Sequence, residues 1–239
     1  MTHLTVFLSV LSPQVELPKF SQMCLLYPGY KQYGGRYSDS DVINLIGGNS
    51  SHVTANMQNT ASIRMSRMLN QYGGRHAIGT EPILLSRQGD DSYKGKDGQQ
   101  YIFRNTAFGP FIAAKYGNPS AVKPNRRDHT RTMVPFLGKQ GIVRLVSYHR
   151  THAGGHVALW DCKQFFQSKD WTMERHILSV EFWEAPDSHC PSSSSVVKRL
   201  PSSVHVNKGQ STSQNRRRHH HGLRTKDRRW TNKMSTSVT

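Results

Sequence analysis

Apolar and polar residues follow two different periods along this chain, one before and one after about residue 117. From Pro18 to Tyr27, apolar residues recur at helical spacing, and the stretch DSDVINLIGG ends in a glycine pair of the kind that closes helices. A third helix is predicted to begin at Asn59 or Thr60, either of which could cap it. Its apolar residues share one face: Ala61, Met65, Met68, Leu69 and Tyr72.

The second half of the chain is richer in β-branched and aromatic runs. GQQYIFRN reads as a strand and AFGPFIAAKYG as a short helix, and three longer strands are predicted in GIVRLVSY, GGHVALWD and HILSVEFWEA. Helices therefore come first and an antiparallel sheet follows. This order predicts an α+β fold with its helices packed at one end of the sheet.

Composition changes sharply near residue 188. Hydrophobic residues make up 35% of the chain, and the last fifty or so residues contain almost no large apolar side chain but include the runs SSSS and RRRHHHG. Such a segment cannot bury enough surface to offset the entropy of ordering. We therefore predict an N-terminal extension (1–17), one domain (18–187) and a disordered basic tail (188–239).

The net charge of +17 is shared unevenly between these parts, with 11 Lys and Arg against the single Asp227 from residue 188 onward. The domain is only moderately basic, which suits an anionic polymer such as bacterial wall or nucleic acid, while the tail adds non-specific attraction. No nucleic-acid-binding motif supports a specific nucleic-acid partner. No stretch is long and apolar enough to span a membrane, and the opening MTHLTVFLSVLS makes a poor signal peptide, so any export is expected to use another route.

Three cysteines are too few for a disulfide framework, and none forms a CxxC pair. Cys24 lies in an apolar helical run and is interpreted as a buried thiol. Cys162 is expected either to join a disulfide or to remain a surface thiol. We expect no metal or organic cofactor.

Two places carry candidate chemistry. The helix start at residues 59–62 presents backbone N–H groups and a dipole that favours an anion, which is why thiolate nucleophiles are often placed there. His156 follows two glycines at the start of a predicted strand, where its imidazole would be uncrowded. Asp161 lies five positions on, and this odd spacing puts it on the opposite face of a regular strand.

The stretches IGGNSSHVTANMQNTASIRMSRMLN, YIFR, GKQGIVRL and GHVALWD resemble, in this order, the type VI secretion amidase effector family 4. The resemblance runs from about Phe20 to about Trp183. It implies a papain-like, NlpC-type fold with N-terminal helices on a C-terminal antiparallel sheet. The implied activity is cleavage of the peptidoglycan amide bond between γ-D-glutamate and meso-diaminopimelate, in the bacterial periplasm. Peptidoglycan peptides and a cognate immunity protein are the implied partners.

The family's nucleophile is a cysteine two residues before IRMS, and that position is Ala61 in this chain. The resemblance assigns the histidine to His156. It places an acidic third residue about a dozen positions later, for which Asp170 is the first candidate and Asp161 the second. The helix start and substrate groove are assigned to Asn59, Ser62 and Arg64.

Alanine cannot form an acyl-enzyme, so the chain is expected to be an inactive or impaired hydrolase of this family. It could be an engineered inactive variant, or a natural pseudoenzyme that binds wall peptides without cutting them. In a further alternative, Ser62 serves as the nucleophile. One residue along a helix turns a side chain by about 100°, so its hydroxyl should not face His156 without a shift in the helix start. A basic nucleic-acid-binding protein is the other function class that the charge allows.

Overall fold

The structure is a computed structural model that describes residues 15–48, 59–124, 129–147, 155–172 and 177–191. Within this part of the chain, the helices are α1 (Phe20–Leu26), α2 (Asp39–Ile46), α3 (Ala61–Tyr72) and α4 (Asn105–Tyr116). Short 3-10 segments occupy Lys31–Tyr33, Gly74–His76 and His129–Phe136. The helices predicted from apolar spacing are all present.

The strands are β1 (Ser92–Lys94), β2 (Gln100–Ile102), β3 (Ser120–Val122), β4 (Gln140–Ser147), β5 (Gly155–Asp161), β6 (Gln164–Phe165) and β7 (Ile177–Glu184). The first two form a separate antiparallel pair, and the others form a five-stranded sheet in the order β3-β7-β4-β5-β6. Every pairing in this sheet is antiparallel. The three longer strands predicted from the sequence are the three central strands of this sheet, and the strand predicted in GQQYIFRN is β2.

Alternation along the central strands gives the sheet two apolar faces. One face packs against α1, α3 and α4 and includes Ile142, Val157, Leu159 and Trp183. The other packs against the last 3-10 segment, through Met133 and Phe136, and includes Val143, Leu145, Ala158 and Trp160. The sheet is thus buried on both sides, which explains why its long strands are apolar almost throughout.

Helix α3 is the central helix on the first face. Its residues Ala61, Met65, Met68 and Leu69 have no exposed surface and belong to the core shared with the sheet. The helix ends at Gly73, whose φ of 80° lies in the left-handed region that favours glycine. The predicted face is therefore buried except at Tyr72, which is half-buried. The other sides of the helix are buried as well, at Ser62, Ile63, Arg64 and Ser66.

Residues 185–190, here called the C-terminal clasp, fasten the far end of the sheet. The backbone N–H of Ala185 donates to the backbone carbonyl of Gln140 at 2.9 Å, and the backbone N–H of Gln140 donates to Ser188 Oγ at 2.8 Å. Cys190 forms a disulfide with Cys162. The described residues continue to Pro191, and the predicted domain boundaries at 17/18 and 187/188 stay predictions. Residues 1–14 and 192–239 lie outside the described residues, so the extension and the disordered tail stay predictions.

No helix in the described part is long and apolar enough to cross a membrane.

Candidate active site

The start of α3 and the start of β5 are joined by one side chain. Asn59 Nδ2 donates to the Gly155 carbonyl at 3.3 Å, and Asn59 Oδ1 accepts the backbone N–H of Ala61 at 3.0 Å. Thr60, the residue that caps the helix by position, makes no side-chain capping bond. Asn59 thus satisfies one of the unpaired N–H groups at the helix start and ties position 61 to the residue before His156.

Gly155 is required where β5 begins. Its φ is 115°, and a Cβ at this position would collide with the carbonyl oxygen of Leu145 on the neighbouring strand. Glycine lets β5 pair closely with β4 up to His156, which lies opposite Leu145. This is the physical reason for the glycine in the GGHVALWD motif.

His156 is buried, with 2% of its surface exposed. Its Nε2 lies 3.4 Å from Ser168 Oγ, and its ring stacks on that of Trp171 with 3.9 Å between centroids. Trp171 Nε1 in turn donates to Ser168 Oγ at 3.2 Å. His156 Nδ1 is also buried and has no hydrogen-bond partner among the described residues.

Burial is the main reason that the pKa of His156 lies well below 6.5, and the positive charges of Arg64 and Lys169 lower it further. The imidazole is therefore neutral at physiological pH. A neutral imidazole with a vacant, buried ring nitrogen has the chemical form of a general base.

Arg64 lies one helical turn after Thr60 and is completely buried. Its guanidinium stacks over the Tyr30 ring at 4.0 Å, and the Tyr30 ring lies 6.0 Å from that of His156. The same guanidinium donates to the carbonyls of Gly29 and Tyr37 and to the Asp39 carboxylate. The sequence prediction placed Arg64 in a substrate groove, whereas the structure places it in the interior, where backbone carbonyls and Asp39 take up its donors.

Position 61 offers no nucleophile, because alanine has no side-chain atom with a lone pair. Ala61 has no exposed surface, and its methyl group belongs to the helix-side core. Ser62 is 2% exposed. Asn59 thus ties the helix start to Gly155, the residue before His156, and serine is the one residue at positions 61 and 62 with a polar side chain.

The two acidic candidates have other partners. One oxygen of Asp170 accepts the backbone N–H of Thr172 at 2.9 Å and its hydroxyl at 2.7 Å. Asp161 accepts from the Gln140 side chain at 2.8 Å, at the far end of β5. In the part of the chain that is described, neither carboxylate hydrogen-bonds to His156. Their role as third member of the site stays a prediction.

Sequence reasoning missed the residues that do contact the imidazole, Ser168 and Trp171. Ser168 stands twelve positions after His156, at the distance where the resemblance placed the third residue. The resemblance implies an acidic residue at this distance, and Asp170, two positions later, is the acidic residue closest to it in sequence. Spacing alone, without a requirement for charge, would have found Ser168.

Neither Cys162 nor Cys24 can serve as the nucleophile. Cys162 is in the disulfide with Cys190, which decides the alternative left open by the sequence. Cys24 is a free thiol whose pKa is raised to about 12, mainly by burial. No group of three or more metal-binding side chains occurs within the described ranges.

A sequence model of the family described as "Type VI secretion system (T6SS), amidase effector protein 4" matches residues 57–183, more than half of the chain. The chain belongs to this family of peptidoglycan amidase effectors. The match includes both the start of α3 and all of β5. No curated protein matches the chain.

Solved structures of the family share the fold. The chain resembles Tae4 in the Tae4–Tai4 effector–immunity complex from Salmonella Typhimurium, with 24% identity and a TM-score of 0.53 over 71% of this chain and 99% of that one. It also resembles Tae4 from Enterobacter cloacae, with 23% identity and a TM-score of 0.54 over 72% of this chain and 99% of that one. The predicted α+β fold is therefore confirmed.

Proposed function

We propose that this chain carries a site for the peptidoglycan amide bond between γ-D-glutamate and meso-diaminopimelate, and that it does not hydrolyse this bond while alanine occupies position 61. The observation that supports this proposal most directly is the Asn59 bridge. It holds the helix start, where the family has its nucleophile, against the residue before a buried and neutral His156.

The proposed chemistry needs a thiol at position 61. His156 would take the thiol proton, and the sulfur would add to the amide carbonyl carbon. The amine would then leave with that proton, and water would hydrolyse the resulting thioester. The methyl group of Ala61 has neither the proton nor the lone pair for the first step. Removing the nucleophile of such a site costs several powers of ten in rate.

The test is a digest of purified peptidoglycan with the chain as it stands and with Ala61→Cys, followed by mass analysis of the released muropeptides. We expect the cysteine variant to release peptides cut between D-glutamate and diaminopimelate, and the unchanged chain to release none. Ala61→Cys/His156→Ala is the matched control and should release no cut peptides. Cleavage by the unchanged chain would overturn the proposal, because another nucleophile would then be at work.

Thiol reactivity tests the geometry without requiring turnover. In Ala61→Cys, we expect iodoacetamide to label the introduced thiol at pH 6 several-fold faster than in Ala61→Cys/His156→Ala, because a nearby imidazole stabilises the thiolate. Cys24, with a pKa of about 12, is the internal reference in the same peptide map. Equal labelling rates in both variants would show that His156 does not act on a thiol at position 61, which would count against the proposed site.

Binding without hydrolysis is the second candidate function, and the buried alanine at position 61 favours it. We expect insoluble peptidoglycan to retain the unchanged chain, and a chain truncated after residue 191 to be retained as well. If only the full chain is retained, the basic tail is responsible and the site is not. By analogy with the complexes of its relatives, we also propose delivery to the periplasm of a target bacterium and a cognate immunity protein as partner.

A further inference from the structure

His156 is held by the segment between β6 and β7 through neutral groups. Ser168 Oγ lies 3.4 Å from Nε2, and Trp171 covers the ring at 3.9 Å. Asp170, the acidic residue in the described part of this segment, directs a carboxylate oxygen at Thr172. The charged groups that act on His156, Arg64 and Lys169, are both positive. Nothing among these contacts supplies the negative charge that usually orients a catalytic imidazole.

We propose that Ser168 is the positioning residue for His156 and occupies the place of the family's acidic residue, so that this chain departs from a working amidase at two positions. The inference rests on the proposed function for its catalytic meaning. Its structural part, which residue holds the imidazole, stands on the Ser168 and Trp171 contacts alone.

The tautomer of His156 explains why this replacement matters. A carboxylate can only accept, so it would keep the imidazole proton on Nε2 and leave the Nδ1 lone pair able to take a thiol proton. A hydroxyl can also donate. Ser168 Oγ already accepts from Trp171 Nε1, and its own O–H can donate to Nε2, which moves the imidazole proton to Nδ1.

An Nδ1–H group cannot act as a general base toward position 61. In this structure Nδ1 is the ring nitrogen without a partner among the described residues, and so it is the one that a new thiol would have to use. Ser168 therefore allows both tautomers where an acidic residue would allow one. Restoring the cysteine alone should give an enzyme that spends part of its time in the wrong tautomer.

The structural part is tested by NMR on the Ala61 chain labelled with ¹⁵N-histidine. We expect Ser168→Asp to move the His156 ring to the Nε2–H tautomer and to raise its pKa by about one unit or more. Ser168→Asn, which places an amide there without a buried charge, should shift the ring toward the same tautomer less completely than Ser168→Asp, because its NH2 group can also donate, and should leave the pKa nearly unchanged. Asp170→Asn should alter neither signal. If Asp170→Asn shifts the His156 signals and the Ser168 variants do not, Asp170 is the partner and the proposal is wrong.

The catalytic part compares Ala61→Cys with Ala61→Cys/Ser168→Asp and Ala61→Cys/Ser168→Asn. We expect both double variants to cleave peptidoglycan about tenfold faster or more, and Ser168→Asp to move the acidic limb of the pH–rate profile upward. Equal rates and equal pH profiles would overturn the catalytic role of Ser168. If no variant cleaves, the proposed function fails, and the NMR experiment still decides whether Ser168 holds His156.

Discussion

The two ends of strand β5 differ in how firmly they are held and in what they can do. At its start, His156 contacts the uncharged side chains of Ser168 and Trp171, and the positive charges of Arg64 and Lys169 act on it. At its other end, Asp161 accepts from Gln140, and Cys162 is bonded covalently to the C-terminal clasp. The start of β5 is thus held by hydrogen bonds and ring stacking, and its other end by a covalent bond as well.

This difference indicates that the fold and the chemistry of the site rest on separate residues. The groups that the proposed reaction needs contribute little to the core, since a thiol in place of one methyl group adds a single atom. Conversely, the residues that stabilise the site end, such as Arg64, have no exposed surface with which to meet a substrate. The proposed absence of a nucleophile at position 61 is therefore compatible with an intact architecture.

The largest effect on stability is expected at the site end, from Arg64→Ala. This change removes the guanidinium that donates to the Gly29 carbonyl and stacks over Tyr30, while the Tyr37 carbonyl keeps the backbone N–H of Lys31 as a donor. We expect the free energy of unfolding to fall by about 3–5 kcal/mol. Urea denaturation followed by tryptophan fluorescence measures this. Arg67→Ala, on the same helix but only partly buried, is the control and should cost less than about 1 kcal/mol; equal losses would contradict the account of Arg64.

Next in size is the loss of the covalent bond at the far end, in Cys162→Ser/Cys190→Ser. The bond joins residues 28 positions apart, so its removal should lower the free energy of unfolding by about 2–4 kcal/mol. Thermal melts with and without reductant should show the same change in the unaltered chain. Cys24→Ser, which touches no disulfide, should leave the sensitivity to reductant intact. A melting temperature that does not depend on reductant would show that the clasp is held by its hydrogen bonds alone.

A smaller effect is expected from pH. Because the folded-state pKa of His156 lies well below 6.5, the unfolded chain takes up a proton at this site as pH falls below about 6.5 and the folded chain does not. Stability should therefore be constant above this pH and fall by up to about 1.4 kcal/mol per pH unit below it. Urea denaturation at pH 7.5 and 5.5 should show a larger loss in the unaltered chain than in His156→Gln. Equal losses would mean that His156 titrates normally.

The smallest effect concerns how the clasp holds helix α1. Asp187 Oδ2 accepts from the backbone N–H and the hydroxyl of Ser21, as a capping residue does from outside the helix. Asp187→Ala should cost about 1 kcal/mol, and Asp187→Asn, which keeps one acceptor, about half of that. Thermal melts compare the three chains. A loss as large as that of the disulfide would show that the clasp acts mainly through α1.

The long elements were predictable because burial alone determines them. Helix α3 shows its buried face in the spacing of Ala61, Met65 and Met68, and the central strands are apolar because both faces of the sheet are covered. Strands β1, β3 and β6 are two or three residues long. They exist through pairing with distant strands, which leaves no local period to detect.

The site was predictable only in part. The resemblance led to Ala61 and His156, but the interior position of Arg64 depends on Gly29, Tyr37 and Asp39, which are far from it in sequence. The pairing of Cys162 with Cys190 depends on where the chain turns after β7, which no local pattern indicates. Ser168 carries no charge and therefore does not match the acidic third residue that the resemblance implies, although contact with an imidazole requires only a polar atom.

The disulfide also changes the covalent connectivity of the molecule. Residues 163–189 form a closed loop that contains β7 and both side chains that hold His156, Ser168 and Trp171. A protease that cuts once within this loop cannot release a fragment, because the bond between Cys162 and Cys190 still joins the two pieces. Such a nicked chain would migrate as one species until it is reduced, and the residues around the imidazole would stay tethered at both sides of the cut.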